Sequence, residues 1–255
     1  MNKSELSEIK KNTLVYIIAF NERTMDLSRV CFEKLGYENI IIDNSEKPFY
    51  KKLDDFRKYA IDNVDKYNIF LRSDADRLVF AGIDELLFET FNDKIVFSSE
   101  GVFYDGLMRR KRGGTPVLYK KEAVLLWGNL KVPNSKKPES DFISSYTNNR
   151  TDSSWKCYNI LTNLHDFEQF PSKICNVLIN RFYRGHIHLY DIKRDKLCDI
   201  WAHAIDFIKL NGDIKQFKYY DFKKLDLGVE DIAEQQMENM LKYYRDLYLS
   251  HAAAD

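Results

Sequence analysis

Long apolar runs are missing from this 255-residue chain. The first apolar stretch, Leu14 to Phe20, is far shorter than the roughly 20 residues a membrane-spanning helix needs. The residues before it, through Lys11, are polar and charged, unlike a secretory leader, so the expectation is a soluble, cytoplasmic protein with no membrane partner. An excess of either charge is also missing. Lys and Arg number 39, as do Asp and Glu, which removes any bulk field drawing the chain onto nucleic acid or an anionic surface, while leaving a local basic patch open. The four cysteines, Cys31, Cys157, Cys175 and Cys198, include no C-x-x-C pair and fit buried, reduced thiols better than a disulfide framework. No internal repeat is visible. What the chain does have is core material: 44% of its residues are hydrophobic, with 17 Phe and 16 Tyr that serve equally for packing and for stacking on bases or sugars.

The apolar, β-branched run Thr13 to Phe20 ends at Asn21-Glu22-Arg23, as a strand buried on both faces does when it exits into a loop. Met25, Leu27, Val30, Cys31 and Leu35 recur at helical spacing and stop at Gly36. A strand over 39–43, a helix through Phe49, Leu53, Phe56 and Ala60, and a strand near 67–71 complete a βαβαβ opening. A short helix over 83–91 and a strand over 94–99 continue the alternation. The segment from Gly101 to Arg150 holds most of the turn-forming residues and reads as irregular functional loops around a short strand over 116–119. Val229, Ile232, Met237, Met240, Leu241, Tyr244 and Leu247 trace one face of a helix over 228–250, suited to closing the core or to forming a homodimer. The expected fold is α/β: a mixed, mostly parallel Rossmann-like sheet flanked by helices, in one domain over 1–255. Two halves would divide near residue 100, one over about 13–100 that carries the strand ends where ligands bind and one over about 101–225.

Ligands on such sheets sit beyond the carboxyl ends of the strands. Three places qualify: the loop after Phe20, the turn Asp43-Asn44-Ser45, and Ser73-Asp74-Ala75-Asp76. Two aspartates one residue apart repel unless a cation neutralises them. Their hard oxygens suit Mg²⁺ or Mn²⁺ bridging a diphosphate. An acidic pair in a turn is often merely solvated; the position after the third strand is what favours a metal. For an acid that takes a proton from a hydroxyl acceptor the candidates are Glu100, Asp105, Glu139, Asp141 and Asp152. Cys175, His186, His188, Cys198 and His203 fall in one region, but their spacings match no paired zinc-ligand motif.

The stretch Arg72-Ser73-Asp74-Ala75-Asp76-Arg77-Leu78-Val79-Phe80, then Glu85-Leu86-Leu87, then Lys94 to Ser98-Ser99-Glu100, resembles the glycosyltransferase domain of procollagen lysyl hydroxylases and procollagen galactosyltransferases. The resemblance implies a GT-A fold and a metal-dependent glycosyltransferase using Mn²⁺ (or Mg²⁺) and a nucleotide-sugar donor, UDP-linked in that family. Asp74 and Asp76 would be metal ligands. Gly113-Gly114 would match the family's glycine-rich acceptor loop, and Asp152 the one aspartate kept from its Asp-Asp-Gln segment, which ranks Asp152 first and Glu100 second as the catalytic acid or base. His203-Ala204-Ile205-Asp206-Phe207-Ile208-Lys209 is similar to the H-x-x-G-x-x-K segment of many GT-A enzymes, with Asp206 in place of the Gly. It implies His203 as a third metal ligand and Lys209 on the diphosphate. Asp43 would contact the ribose or base, Ala19, Phe20 and Asn21 would form the opposite wall of the nucleotide pocket, and Arg72 or Arg77 would touch phosphate, with neither preferred.

The acceptor, a glycan, a hydroxylated peptide or a modified DNA base, stays open. A viral or microbial glycan pathway suits a chain that carries no hydroxylase. A phage-type enzyme acting on hydroxymethylated pyrimidines would use Arg109-Arg110-Lys111-Arg112 on DNA phosphates and Trp127 against an extruded base, against the plainer reading of a solvated loop and a core tryptophan. Sugar nucleotidyltransfer is disfavoured because Ala19 to Arg23 contains no glycine. A non-catalytic nucleotide-sugar-binding module is the remaining alternative.

Overall fold

The computed structural model describes residues 2–22, 24–105, 110–135, 137–147 and 154–165, with side chains at 104, 105, 110, 111, 147 and 154 left aside. Two compact units divide the chain, Met1–Tyr104 with Lys111–His165, and Asp105–Arg110 with Asp166–Asp255. Every side chain discussed below belongs to the first. His203, Lys209, Asp152, the other histidines and cysteines of the zinc reading, and the helix over 228–250 lie outside the described residues.

The elements run α1 (Lys3–Lys11), β1 (Thr13–Ile18), α2 (Met25–Lys34), β2 (Asn39–Asp43), α3 (Phe49–Asp62), β3 (Ile69–Asp74), β4 (Arg77–Val79), α4 (Gly82–Asn92), β5 (Val96–Asp105), β6 (Arg110–Lys120), α5 (Lys121–Trp127), α6 (Pro138–Thr147) and β7 (Ser154–His165). The strands form one seven-stranded sheet in the order β2-β1-β3-β6-β5-β7-β4. β1 pairs in parallel with both β2 and β3, whereas β6 joins β3 antiparallel and β7 joins β4 antiparallel. The expected mixed α/β sheet flanked by helices is present, with its parallel pairing in the opening βαβαβ unit. All six residues of β1 are buried, which is why this strand reads as an unbroken apolar run rather than an alternation.

One face of β1, carrying Leu14, Tyr16 and Ile18, packs under α3, α5 and α6. Trp127, 1% exposed, is the hub of this layer, with ring centroids 5.0 Å from Tyr119, 5.6 Å from Phe142 and 5.8 Å from Phe56. That placement corrects the thought that Trp127 meets an extruded base: its ring is consumed by the core. Trp127→Ala should cost about 3–5 kcal/mol of unfolding free energy, measured by denaturant titration, because the cavity cannot be refilled by the four neighbouring rings packed around it.

One element was not foreseen, and one sequence expectation needs correcting. The polar N-terminal stretch is helix α1, capped by the Asn2 side chain accepting from the Ser4 N–H at 3.1 Å. Its Leu6 and Ile9 are buried, and Lys10 reaches Asp84 of α4 at 2.6 Å. Only two apolar positions at i, i+3 carried the signal, too few to stand out among charges. The segment 101–150 is likewise no set of loops around a short strand. β5 runs on to Asp105, β6 starts at Arg110, and α5 and α6 follow. Gly101 and Gly113, which read as turn formers, lie inside strands: a Cβ on Gly101 would come within 2.7 Å of the Ile160 carbonyl oxygen, which cannot give way, and one on Gly113 within 2.7 Å of Glu100 Oε1, the end of a side chain that can turn aside.

Candidate active site

The register fixes the site. Ile18 of β1 pairs with Asp43 on one side and Asp74 on the other, so both acids lie in one row across the carboxyl end of the parallel strands. Adjacent strands stand about 4.8 Å apart, which separates the two backbones by roughly 10 Å. The chain then turns through Ala75, whose N–H donates to the Ile18 carbonyl at 2.9 Å, and re-enters the sheet as β4. The D-x-D thus straddles a strand end and a turn anchored to β1. Thr24 Oγ1 donates to the Ala75 carbonyl at 2.8 Å from the other side and fixes the turn further.

Asp74 is held by two partners. Arg72 Nη1 lies 2.7 Å from its Oδ1, and Thr115 Oγ1 of β6 donates to Oδ2 at 3.0 Å. Arg72 is fully buried and also pairs with Glu139 at the start of α6. Burial pulls the guanidinium towards neutrality, but Glu139 and Asp74 outweigh it and hold Arg72 charged. Asp76 meets a different set. Arg77 in β4 pairs with His165 in β7, and that register brings His165 Nε2 to 3.2 Å from Asp76 Oδ2. Arg77 Nε lies 3.6 Å from Asp76 Oδ1, and its guanidinium stacks on Phe103 at 3.9 Å. Nε and Nη1 of Arg77 are buried without a hydrogen bond. Arg72 Nε is likewise buried without one, so both arginines of the corner keep unsatisfied donors, two on Arg77 and one on Arg72.

Glu100, in β5, faces Gly113 of β6 and hydrogen-bonds the Cys157 thiol of β7. Burial, reinforced by the negative charge of Glu139, pushes its carboxyl up to about 7, against the opposing pull of Cys157, Arg72 and Arg77. A carboxyl that titrates near neutrality, with both arginines of the D-x-D corner within electrostatic reach, has the poise of a proton-transfer group. Gly113→Ala should push this carboxyl aside, so turnover is expected to fall about tenfold or more while the melting temperature moves little; the paired measurement of kcat and Tm checks it.

Around Asp43 the hydrogen bonds run inward. The Ser45 N–H donates to its Oδ1 at 3.0 Å and Tyr16 Oη to Oδ2 at 3.3 Å. Burial raises its pKa, but the Ser45 bonds, Lys52 and Tyr16 prevail and leave the carboxyl below its ordinary value, hence ionised and acceptor-only. Ala19 is buried, Phe20 half-buried and Asn21 exposed in a left-handed conformation at φ 56°, which Asn tolerates better than most residues.

The structure thus places Asp74, Asp76, Arg72 and Glu100 around one corner, and Ala19, Phe20, Asn21 and Asp43 along the adjoining strand ends. Asp141 is exposed on α6. Sequence reasoning missed Thr115, His165 and Lys52. Nothing local marks the first two; each is delivered by antiparallel pairing across a long stretch of chain. Lys52 hid on the buried face of α3, where a lysine is normally assigned to solvent.

As a metal site the corner supplies two hard carboxylates, each about a quarter or less exposed. Among the described residues no group of three or more His, Cys, Asp or Glu side chains is gathered closely enough to hold an ion. Two carboxylates still fit Mg²⁺ or Mn²⁺, which commonly take only one or two from the protein and the rest from phosphate and water, and the spare Arg77 donors suit the accompanying phosphate.

No protein-family model matches the chain, and no curated protein matches it. Among solved structures it is similar to A197 from STIV, with 13% identity and a TM-score of 0.49 over 62% of this chain and 89% of the other. It is also similar to a glycosyltransferase involved in the glycosylation of the major capsid of PBCV-1, with 14% identity and a TM-score of 0.40 over 60% of this chain and 93% of the other. A CMP:2-keto-3-deoxy-manno-octonic acid synthetase complexed with CTP gives 7% identity and 0.41 over 69% and 100%. Likeness at this level decides nothing about activity, which the side chains themselves must argue. No helix among the described residues is long and apolar enough to cross a membrane.

Proposed function

We propose that the chain is a GT-A-type glycosyltransferase that moves a sugar from a nucleotide donor, UDP-linked by the family resemblance, to a hydroxyl acceptor, with Mn²⁺ or Mg²⁺ on Asp74 and Asp76. The observation that carries this is the row Asp43–Ile18–Asp74 across the carboxyl end of the parallel strands, with Asp76 one turn beyond. An ionised acceptor at one end and an acid pair at the other, roughly 10 Å apart, match a ligand with hydroxyl or imide donors at one end and a metal-bound diphosphate at the other. When bound, the cation neutralises charge building on the leaving nucleoside diphosphate.

The chain's own residues supply the rest. Asp43 accepts from the ribose or base, and Phe20 and Asn21 wall the pocket. Arg77 donates to the diphosphate from Nε and Nη1. In an inverting transfer the acceptor oxygen bonds to the anomeric carbon as the bond to the diphosphate oxygen breaks, the electron pair leaving with the diphosphate, and Glu100 takes the acceptor's hydroxyl proton. His203, Lys209 and Asp152 remain proposals on the resemblance alone, as third ligand, diphosphate contact and competing base. The acceptor is proposed only as a hydroxyl.

The test is a panel of nucleotide sugars incubated with and without Mn²⁺, with nucleoside diphosphate release and acceptor mass read together. Metal-dependent release supports transfer. Tight nucleotide binding with no release from any donor, with or without acceptor, would reduce the protein to a binding module.

A further inference from the structure

Lys52 is the one charged side chain among the largest fully buried ones of the described residues, besides Arg72, and the functional reading leaves it without a task. It sits on α3, its side chain wholly buried, on the same helix as the buried Leu53, Phe56, Arg57 and Ala60. Its Nζ donates to the Ala19 carbonyl at the end of β1 and lies 3.4 Å from the Asp43 carbonyl at the end of β2. The same ammonium stands 3.9 Å from the centroid of the Phe20 ring, whose neighbour Phe49 is tilted against it at 6.3 Å. Removing an ammonium from water costs several kcal/mol after relaxation. A methionine of similar shape would fill the same space without that cost, so the charge implies a task beyond packing.

Geometry indicates the task. The ammonium joins the Ala19 carbonyl, one residue beyond β1, to the Asp43 carbonyl at the end of β2, which also accepts from the Ala19 N–H at 3.0 Å, and it grips the Phe20 ring through a cation–π contact. On the solvent side of the same loops a second tie answers it. The Asn21 N–H donates to Asn44 Oδ1 at 3.0 Å, and Asn44 Nδ2 donates to Asn21 Oδ1 at 2.7 Å, a reciprocal pair between the β1 and β2 exits. Phe20 lies in sequence between the residue tied by the lysine and the residue tied by the asparagines.

We infer that Lys52, together with the Asn21–Asn44 pair, forms a clasp that sets the position of Phe20 and Asp43 so that the half-buried ring and the ionised carboxylate present one preformed wall to the nucleoside of the donor. Lys52 touches neither sugar nor acceptor and is a positioning residue. The inference rests on the functional reading above. Preformed walls act on binding: the clasp removes loop ordering from the cost of binding nucleotide, so its loss raises Kd and KM and leaves the bond-breaking corner at Asp74 and Asp76 unchanged.

The test titrates UDP and a second nucleoside diphosphate into the intact chain with Mn²⁺ by calorimetry, alongside kcat and KM for the active donor. Lys52→Met is expected to weaken nucleoside diphosphate binding about tenfold and raise donor KM by a similar factor, with kcat within about twofold of wild type. Should that variant not fold, Asn44→Ala, exposed and outside the core, decides in its place with a threefold to fivefold rise in Kd. A merely structural lysine would instead lower Tm and the active fraction, cutting kcat at constant KM; that result, or an unchanged Kd in a folded Lys52→Met and in Asn44→Ala, overturns the clasp alone. No binding of either nucleotide by the wild-type chain overturns the functional reading, and the clasp with it.

Discussion

Asp76→Asn is expected to remove metal-dependent turnover, by at least about a hundredfold, while the protein still folds. The substitution keeps volume and removes one negative charge from a carboxylate that faces Arg77 at 3.6 Å and His165 at 3.2 Å. An amide oxygen is a weaker ligand for a hard dication than a carboxylate oxygen, so the loss falls on metal affinity first. Raising Mn²⁺ should recover part of the activity in this variant and none in an Asp74→Asn, Asp76→Asn double variant. Some stability goes with it, because the buried Arg77 and His165 lose the charge opposite them. Wild-type turnover in Asp76→Asn at limiting Mn²⁺, with circular dichroism unchanged, would remove the metal from Asp74 and Asp76.

Glu100→Gln carries the second large effect. General-base assistance contributes about a hundredfold to ten-thousandfold, and the amide cannot take the acceptor's proton. The wild-type kcat should rise with pH through a limb near 7, since the carboxyl is pushed up to about 7 and works as the anion; that limb should vanish in the variant. Bound cation at Asp74 and Asp76 would draw the limb lower, so its position should depend on the metal. Stability has the opposite slope. A carboxyl whose native pKa lies above its unfolded value favours folding while protonated, so its contribution is full below about 4.5 and is lost as pH rises to about 7. Glu100→Gln should flatten that fall. A variant retaining wild-type kcat and its limb would hand the base role to another acid, Asp152 first.

How much of this was legible in sequence follows from the range of each signal. β1 to α3 stood out because a buried strand and an amphipathic helix impress different periods on neighbouring residues, and Met25 to Leu35 and Phe49 to Ala60 keep theirs throughout. β3 extends to Asp74 rather than ending near residue 71, because its place between β1 and β6 holds Arg72 and Ser73 buried despite their polarity. The cores of β5 and β6 were legible over 94–99 and 116–119, but the extension of β5 to Asp105 and the start of β6 at Arg110 were hidden by glycines and a basic run that mimic loop composition. The acids at 43, 74, 76 and 100 announced themselves by following strands. Thr115 and His165 did not, since their approach to Asp74 and Asp76 depends on pairings of β6 and β7 with distant strands, and no window of sequence contains both partners.

The pairing of Arg77 with His165 makes the acid corner a joint product of two distant stretches of chain. A transplant of the βαβαβ portion onto another scaffold would carry both aspartates yet arrive without the strand that sets the second one's orientation. Sliding β7 by a single position against β4 would turn the imidazole to the opposite side of the sheet. Chimeras and truncations should therefore be cut beyond residue 165, and insertions or deletions between α6 and β7 screened for altered metal requirement before altered sugar preference.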